Sequence, residues 1–225
     1  MHHYPIYLSL ETASVIVVGA GKVGRRKIAS LSRAKAKEIL VFDPALPEDA
    51  VAELEEMPSV RVVARPVNAA DLQGKRLVFA ASSDREENAR IAALCSEADI
   101  LCNVVDAPDS GTFIVPALTG THGIMAAFST DGQSPALARR IKEEARSWLE
   151  GNYGQLLVLM GRLRPLILEL GLDSEENAYI FRSLAYSRLG ELLISGDRHA
   201  VTDLLAILMP PALHEYIEDI LDGLC

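Results

Sequence analysis

Gly19, Gly21 and Gly24 stand as G-x-G-x-x-G between the apolar run Val15 to Val18 and a helix-like stretch that begins near Lys22. The pattern suits a pyrophosphate. The first glycine permits a tight turn, the second lets the ligand approach the backbone, and the third lets the new helix pack closely on the strand. Unpaired N–H groups at such a helix start attract an anion, so Lys22 and Val23 belong with the glycines as cofactor-binding residues. A second apolar run, Ile39 to Phe42, ends in Asp43, followed by Pro44. Asp43 lies close to the spacing of roughly 20 residues expected of the acid that binds an adenosine ribose. A carboxylate there favours free hydroxyls over a 2′-phosphate, and hence NAD over NADP. Arg25 and Arg26 are the residues that could instead meet a 2′-phosphate.

Two further segments should reach the same sheet edge, where ligands of open α/β sheets bind. In the first, Ala81, Ser82 and Ser83 are small enough for a cofactor to lie against their backbone. In the second, Cys102 to Pro108, Asn103 is a candidate substrate contact, Val105 a cofactor contact and Asp106 a candidate catalytic base. The apolar approach Val104-Val105 predicts a dry strand end, where partial desolvation would make Asp106 a usable proton acceptor near neutral pH. An Asx-turn or cap before Pro108 is the other role open to Asp106. A polar loop, Ser129 to Pro135, opens a later helix. Ser129, Thr130 and Ser134 could receive an anion there or simply cap the helix. Arg139, Arg140 and Lys142 form either a solvated face or a site for substrate carboxylates.

These residues need a scaffold, and the chain supplies an alternating one. Up to about Val105, short apolar runs alternate with helical patterns, the signature of βαβ units and a parallel sheet. Strands are expected at 14–18, 38–42, 60–64, 77–80 and 100–104. Crossover helices are expected at 22–32 and 86–97, the second capped by Asp84 and packing through Ala89, Ala92, Ala93 and Ala98, with a short turn at 71–73. Two β-rich runs, 112–115 and 123–129, and a charged helix at 134–149 follow. From Gly151 the apolar residues recur only at helical spacing, which predicts four helices, with Asp173 or Ser174 and Asp197 as caps and Pro165 kinking or starting the first. The fold class is therefore α/β: a Rossmann-like parallel sheet in residues 1–111, a small α+β segment in 112–150 that either extends the sheet or serves as a dimerisation segment, and a C-terminal helical domain in 151–225.

Composition narrows the function further. The chain has 225 residues, 49% of them hydrophobic, and a net charge of −9. Such a balance argues against general affinity for nucleic acid or an anionic membrane, because phosphate binding needs clustered positive charge. Cys95, Cys102 and Cys225 lie outside any C-x-x-C spacing, and His2, His3, His122, His199 and His214 show no ligand spacing, so no preformed metal site is expected. With neither a signal-like N-terminus nor an apolar stretch long enough to span a bilayer, a cytoplasmic enzyme is the expectation.

Five segments, YPIYLSL, VVGAGKVGRRKIASL, FAASSDREENARIA, CNVVDAPDSGTFIVPA and FSTDGQSPALARRIKEEAR, resemble in that order the precorrin-2 dehydrogenase and sirohydrochlorin ferrochelatase family, which includes the N-terminal part of sirohaem synthase. The resemblance covers about residues 4 to 148. NVVDAP followed at fixed distance by SP-x-LAR is its most specific part. It implies NAD-linked oxidation of precorrin-2 to sirohydrochlorin by a homodimer intertwined through the middle segment, with insertion of Fe²⁺ in some members. The family's essential aspartate falls on Asp106. Its loop serine falls on Thr130, preceded by Ser129, and Asp131 stands where a glycine is common. The many substrate carboxylates would then meet Arg139 and Arg140, since arginine pairs with carboxylate through two parallel hydrogen bonds.

Two other classes share the glycine turn. A nucleotide-sensing regulatory module would leave Asp106 and the polar loop without a task. A dehydrogenase for a small hydroxy acid would want a His–carboxylate pair and an arginine near the strand ends, and the sequence offers no such set.

Overall fold

A computed structural model describes residues 3–121 and 123–224; His2, His122 and Cys225 lie outside them. The chain forms two compact units, one ending at Val115 and the other beginning at Pro116.

Five strands of the first unit, β1 (Ser14–Val18), β2 (Glu38–Phe42), β3 (Val60–Val63), β4 (Leu77–Ala80) and β5 (Leu101–Val104), form one sheet in the order β3-β2-β1-β4-β5. All pairings are parallel, with Val18 level with Phe42 on one side and Ala80 on the other. Strands buried on both faces read as unbroken apolar runs, which is why the sequence showed them so plainly. Alternation does the rest. Val15 and Val17 pack with Ile28 and Leu31 of α1 (Lys22–Arg33) on one face. On the other, Ile16 and Val18 pack with Ile91 and Cys95 of α3 (Arg85–Glu97). Each such aliphatic side chain contributes roughly 1.5–3 kcal/mol on burial. The buried face of α3 is Asn88, Ile91 and Cys95, not the expected alanine face, since Ala89, Ala93 and Ala98 are exposed. Cys95 and Cys102 are free thiols buried together, and their mutual hydrogen bond followed by burial pushes the Cys102 thiol up.

At the strand edge opposite the glycine turn, Glu38 joins three strands. Its carboxylate accepts the Ser14 hydroxyl at 2.8 Å and pairs with Lys75 at 3.2 Å. The Ser14 hydrogen bond outweighs the upward push of burial and, with the Lys75 and Arg61 charges adding to it, holds the carboxyl below its ordinary value. A depressed carboxyl stabilises the fold above its unfolded value, about 4.3, and that stabilisation fades as pH falls through the lower folded value. Glu38→Gln should therefore lower the unfolding midpoint at neutral pH, and the difference from the parent should shrink as the solution is acidified below about pH 4. Thermal melts across that range measure it.

Several expectations shift. A helix not foreseen, α2 (Glu48–Glu55), buries only Ala50 and Leu54, too few apolar residues to stand out in EDAVAELE. Residues 112–115 form no strand. Instead Thr112 donates its N–H to the Cys102 carbonyl at 2.8 Å, and Phe113 accepts the Asn103 amide at 3.0 Å, which ties this stretch to the first unit and moves its end from 111 to 115.

In the second unit, β6 (Ala117–Thr121) and β7 (Ile124–Phe128) pair antiparallel and pack on α4 (Pro135–Glu169). That helix spans the expected boundary at 150, so the middle segment and the helical region form one body. It also runs through Pro165, because Leu159, Leu163 and Ile167 on the same stripe are fully buried. Against that stripe lie α5 (Ser174–Ala185), α6 (Leu189–Ser195) and α8 (Ile217–Ile220), and α7 (Arg198–Leu208) closes the same core by packing on these three. Asp173 and Asp197 cap α5 and α7. Among the described residues no helix is long and apolar enough to cross a membrane.

Candidate active site

Between β1 and β4 the sheet's connection order reverses, and the C-terminal ends of the two strands diverge into loops. A cleft of about 720 Å³ opens there, within the first unit. Its volume falls in the range of small-molecule and cofactor sites. Gly19, Gly21, Lys22, Val23, Asp43, Pro44, Ala81, Ser82, Ser83, Val105 and Asp106 all line it. Gly24 does not; its task is under the turn, where a Cβ would stand 1.9 Å from the Gly19 carbonyl oxygen. Gly19 has φ +88°, and a Cβ there would meet the Ala81 oxygen and Ser82 Cα at 2.7 Å. Around Gly21, in contrast, a Cβ would find nothing within 4 Å. That open space sits at the N-cap of α1, which receives no side-chain cap. The helix start thus offers uncapped N–H groups to an approaching anion.

Asp43, half-buried at the end of β2, lines the cleft beside the glycine turn. One carboxylate oxygen accepts the Ala20 N–H at 2.8 Å and the other the Ala45 N–H at 3.0 Å. Each oxygen keeps a second lone pair, so the carboxylate can still receive vicinal hydroxyls while bracing the glycine turn. Arg25 is bound to Glu53 and to the Ala20 carbonyl, and neither it nor Arg26 lines the cleft. Phe42, Leu46 and Pro66 add apolar walls beside Asp43, and these the sequence did not reveal. The donor set therefore fits a dinucleotide: a glycine cradle, uncapped amides and, braced against the glycine turn, a carboxylate, all lining one cleft.

Asp106 stands on the rim. The Val105 N–H donates to the Ala80 carbonyl at 3.1 Å, which fixes the peptide before it to the end of β4. The desolvation expected from Val104 and Val105 is absent from this chain by itself: Val104 is buried, Val105 half-buried, and Asp106 exposed. The strand ends at Val104, and the chain bends at the next two residues. Nor does Asp106 act as a cap. The 3₁₀ turn at Pro108–Ser110 has Ala107 at its N-cap and no side-chain cap bond. Asn103, proposed as a substrate contact, is buried and spends its amide on the Phe113 carbonyl.

The remaining candidates belong to the second unit. Ser134 caps α4 through the Leu137 N–H, Thr130 accepts the Ser134 N–H at 3.0 Å, and Ser129 accepts that of Asp131 at 3.1 Å. Asp131 has φ +54°, the left-handed region. Aspartate tolerates that conformation better than most residues. Arg139 and Arg140 are exposed and pair with Glu143 and Glu144 one turn along α4. Exposed pairs of this kind are weak.

Comparisons with known proteins agree with this geometry. A model of an NAD(P)-binding family matches residues 6–117. Siroheme synthases of Nitrosomonas europaea and Aeromonas salmonicida are 31% and 33% identical, over 92% and 91% of this chain respectively. A solved structure, "SirC, precorrin-2 dehydrogenase", superposes with a TM-score of 0.75 at 25% identity over 92% of this chain and 98% of its own. Through both units the chain is thus similar to a precorrin-2 dehydrogenase, and its first unit to NAD(P)-binding proteins. The match to SirC extends through both units, whereas the nucleotide-binding model stops at the start of β6. The chain spans only 43% of the length of each of the two siroheme synthases.

Proposed function

We propose that this chain is an NAD-dependent precorrin-2 dehydrogenase, forming sirohydrochlorin, and that Asp106 is its base. The observation that carries the reading is the presence of a carboxylate on the rim of the cleft whose floor is the glycine turn. When bound, NAD⁺ supplies the hydride acceptor at its nicotinamide. The chain's own groups do the rest. Uncapped amides of the α1 start hold the pyrophosphate, and Asp43 holds the adenosine ribose through its hydroxyls. Oxidation removes a hydride and a proton from the macrocycle, and the Asp106 carboxylate takes the proton. Being exposed in the chain alone, Asp106 is open to a large substrate, which on seating would itself displace water from it.

Partners follow from the same reading. The hairpin and α4 expose Leu118, Met125, Leu137 and Trp148, an apolar set suited to a second copy of this chain. A homodimer formed through this segment would bring Arg139 and Arg140 to bear on substrate carboxylates.

An anaerobic assay with precorrin-2 and NAD⁺ tests the activity. NADH and sirohydrochlorin should appear in equal amounts. If NAD⁺ binds but precorrin-2 is left unoxidised, the nucleotide-sensing reading takes its place.

A further inference from the structure

We propose that Asn88 is a positioning residue for the cofactor, acting through the backbone of Ser82; the inference rests on the assignment of the cleft to NAD. Asn88 lies in the buried stripe of α3, 2% exposed, among the aliphatic side chains that face the sheet. Its Oδ1 accepts the Ser82 N–H at 3.1 Å, and its Nδ2 donates to the Ser82 carbonyl at 2.9 Å. One partner is a donor and the other an acceptor, so the amide has only one satisfactory orientation. Two bonds from one planar group fix both the height of the Ser82 residue and its rotation.

Ser82 is also hemmed in from the other side. The tight approach of Gly19 to Ala81 and Ser82 leaves no room for a side chain at Gly19, and the Ala81 N–H is held by the Val18 carbonyl at 2.8 Å. The segment is therefore wedged between α3 and the glycine turn. Asn88 sets how far Ser82 stands from the turn, and hence the width of the passage a dinucleotide must cross from the β1 side to Asp106. Few side chains could replace it. An aspartate accepts from the N–H but repels the carbonyl, and a leucine fills the volume while leaving both backbone groups unpaired.

Asn88→Leu and Asn88→Asp test this in the full chain. Calorimetric titration with NAD⁺ should give a Kd raised by roughly tenfold for Asn88→Leu, with circular dichroism unchanged. Asn88→Asp should be as weak at about pH 8 and recover toward the parent near pH 5, because the protonated carboxyl regains the missing donor. The parent should show no such gain. Gly21→Ala, which obstructs the cleft directly, is the control for the NAD assignment. If either Asn88 variant folds and binds NAD⁺ within about twofold of the parent at both pH values, the positioning role is wrong while the cleft assignment stands. Loss of folding by both variants would leave Asn88 a structural role alone and equally overturn the inference. If Gly21→Ala binds as the parent does, the NAD assignment falls and takes the inference with it.

Discussion

Asp106→Asn is expected to lower kcat by about 10²–10⁴-fold while the protein melts where the parent does and keeps its Kd for NAD⁺. The argument rests on what Asp106 lacks. It is exposed, and among the described residues no hydrogen bond or ion pair engages its carboxylate. Substitutions at such positions change stability by less than about 0.5 kcal/mol, so lost activity cannot be put down to lost fold. Asparagine also separates the two roles the sequence left open. It caps turns as well as aspartate does but cannot take a proton, whereas alanine does neither. A base that caps nothing makes the Asn and Ala variants equally inactive and leaves both as stable as the parent. Steady-state rates and melting curves of both variants decide it, and an active Asp106→Asn would remove the carboxylate from the mechanism.

The sequence revealed best what depends on local pattern. Buried parallel strands, the glycine turn and Asp43 are each visible in a window of a few residues, and all fall where the periodicity puts them. Where a longer-range partner decides, the pattern misleads. Residues 112–115 are β-branched and aromatic enough for a strand, but Thr112 and Phe113 find their partners on β5, and pairing of the hairpin begins only after Pro116. Gly151 and Pro165 read as breaks between helices, yet the burial of Leu156, Leu159, Leu163 and Ile167 carries α4 through them. Alanines on α3 looked like its packing face, while the sheet instead takes Asn88, Ile91 and Cys95. Asn88 itself had one signal, a polar residue in an otherwise apolar stripe. What it bonds could not be read, because the direction of the Ser82 peptide is set by β4 and the glycine turn.

The second large effect distinguishes glycines that look alike in the motif. Gly24→Ala should destabilise the first unit by about 1–3 kcal/mol or more, because its Cβ would stand 1.9 Å from the Gly19 oxygen and 2.9 Å from the Gly19 carbonyl carbon. Both are backbone atoms, so relief requires α1 to move off β1 and the contacts of Ile28 and Leu31 to loosen with it. Gly21→Ala should do the opposite. Its φ is −66°, which any residue adopts, and its Cβ meets no atom, so the fold should hold or gain slightly from a less flexible unfolded chain. The added methyl instead occupies the approach to the uncapped α1 amides, and NAD⁺ affinity should fall by roughly tenfold or more. Denaturant melts paired with NAD⁺ titrations read both quantities. A stable Gly24→Ala would mean that helix and strand are not closely packed at this turn. A Gly21→Ala variant that unfolds easily would mean that the space beside Gly21 serves the fold and is not held open for a ligand.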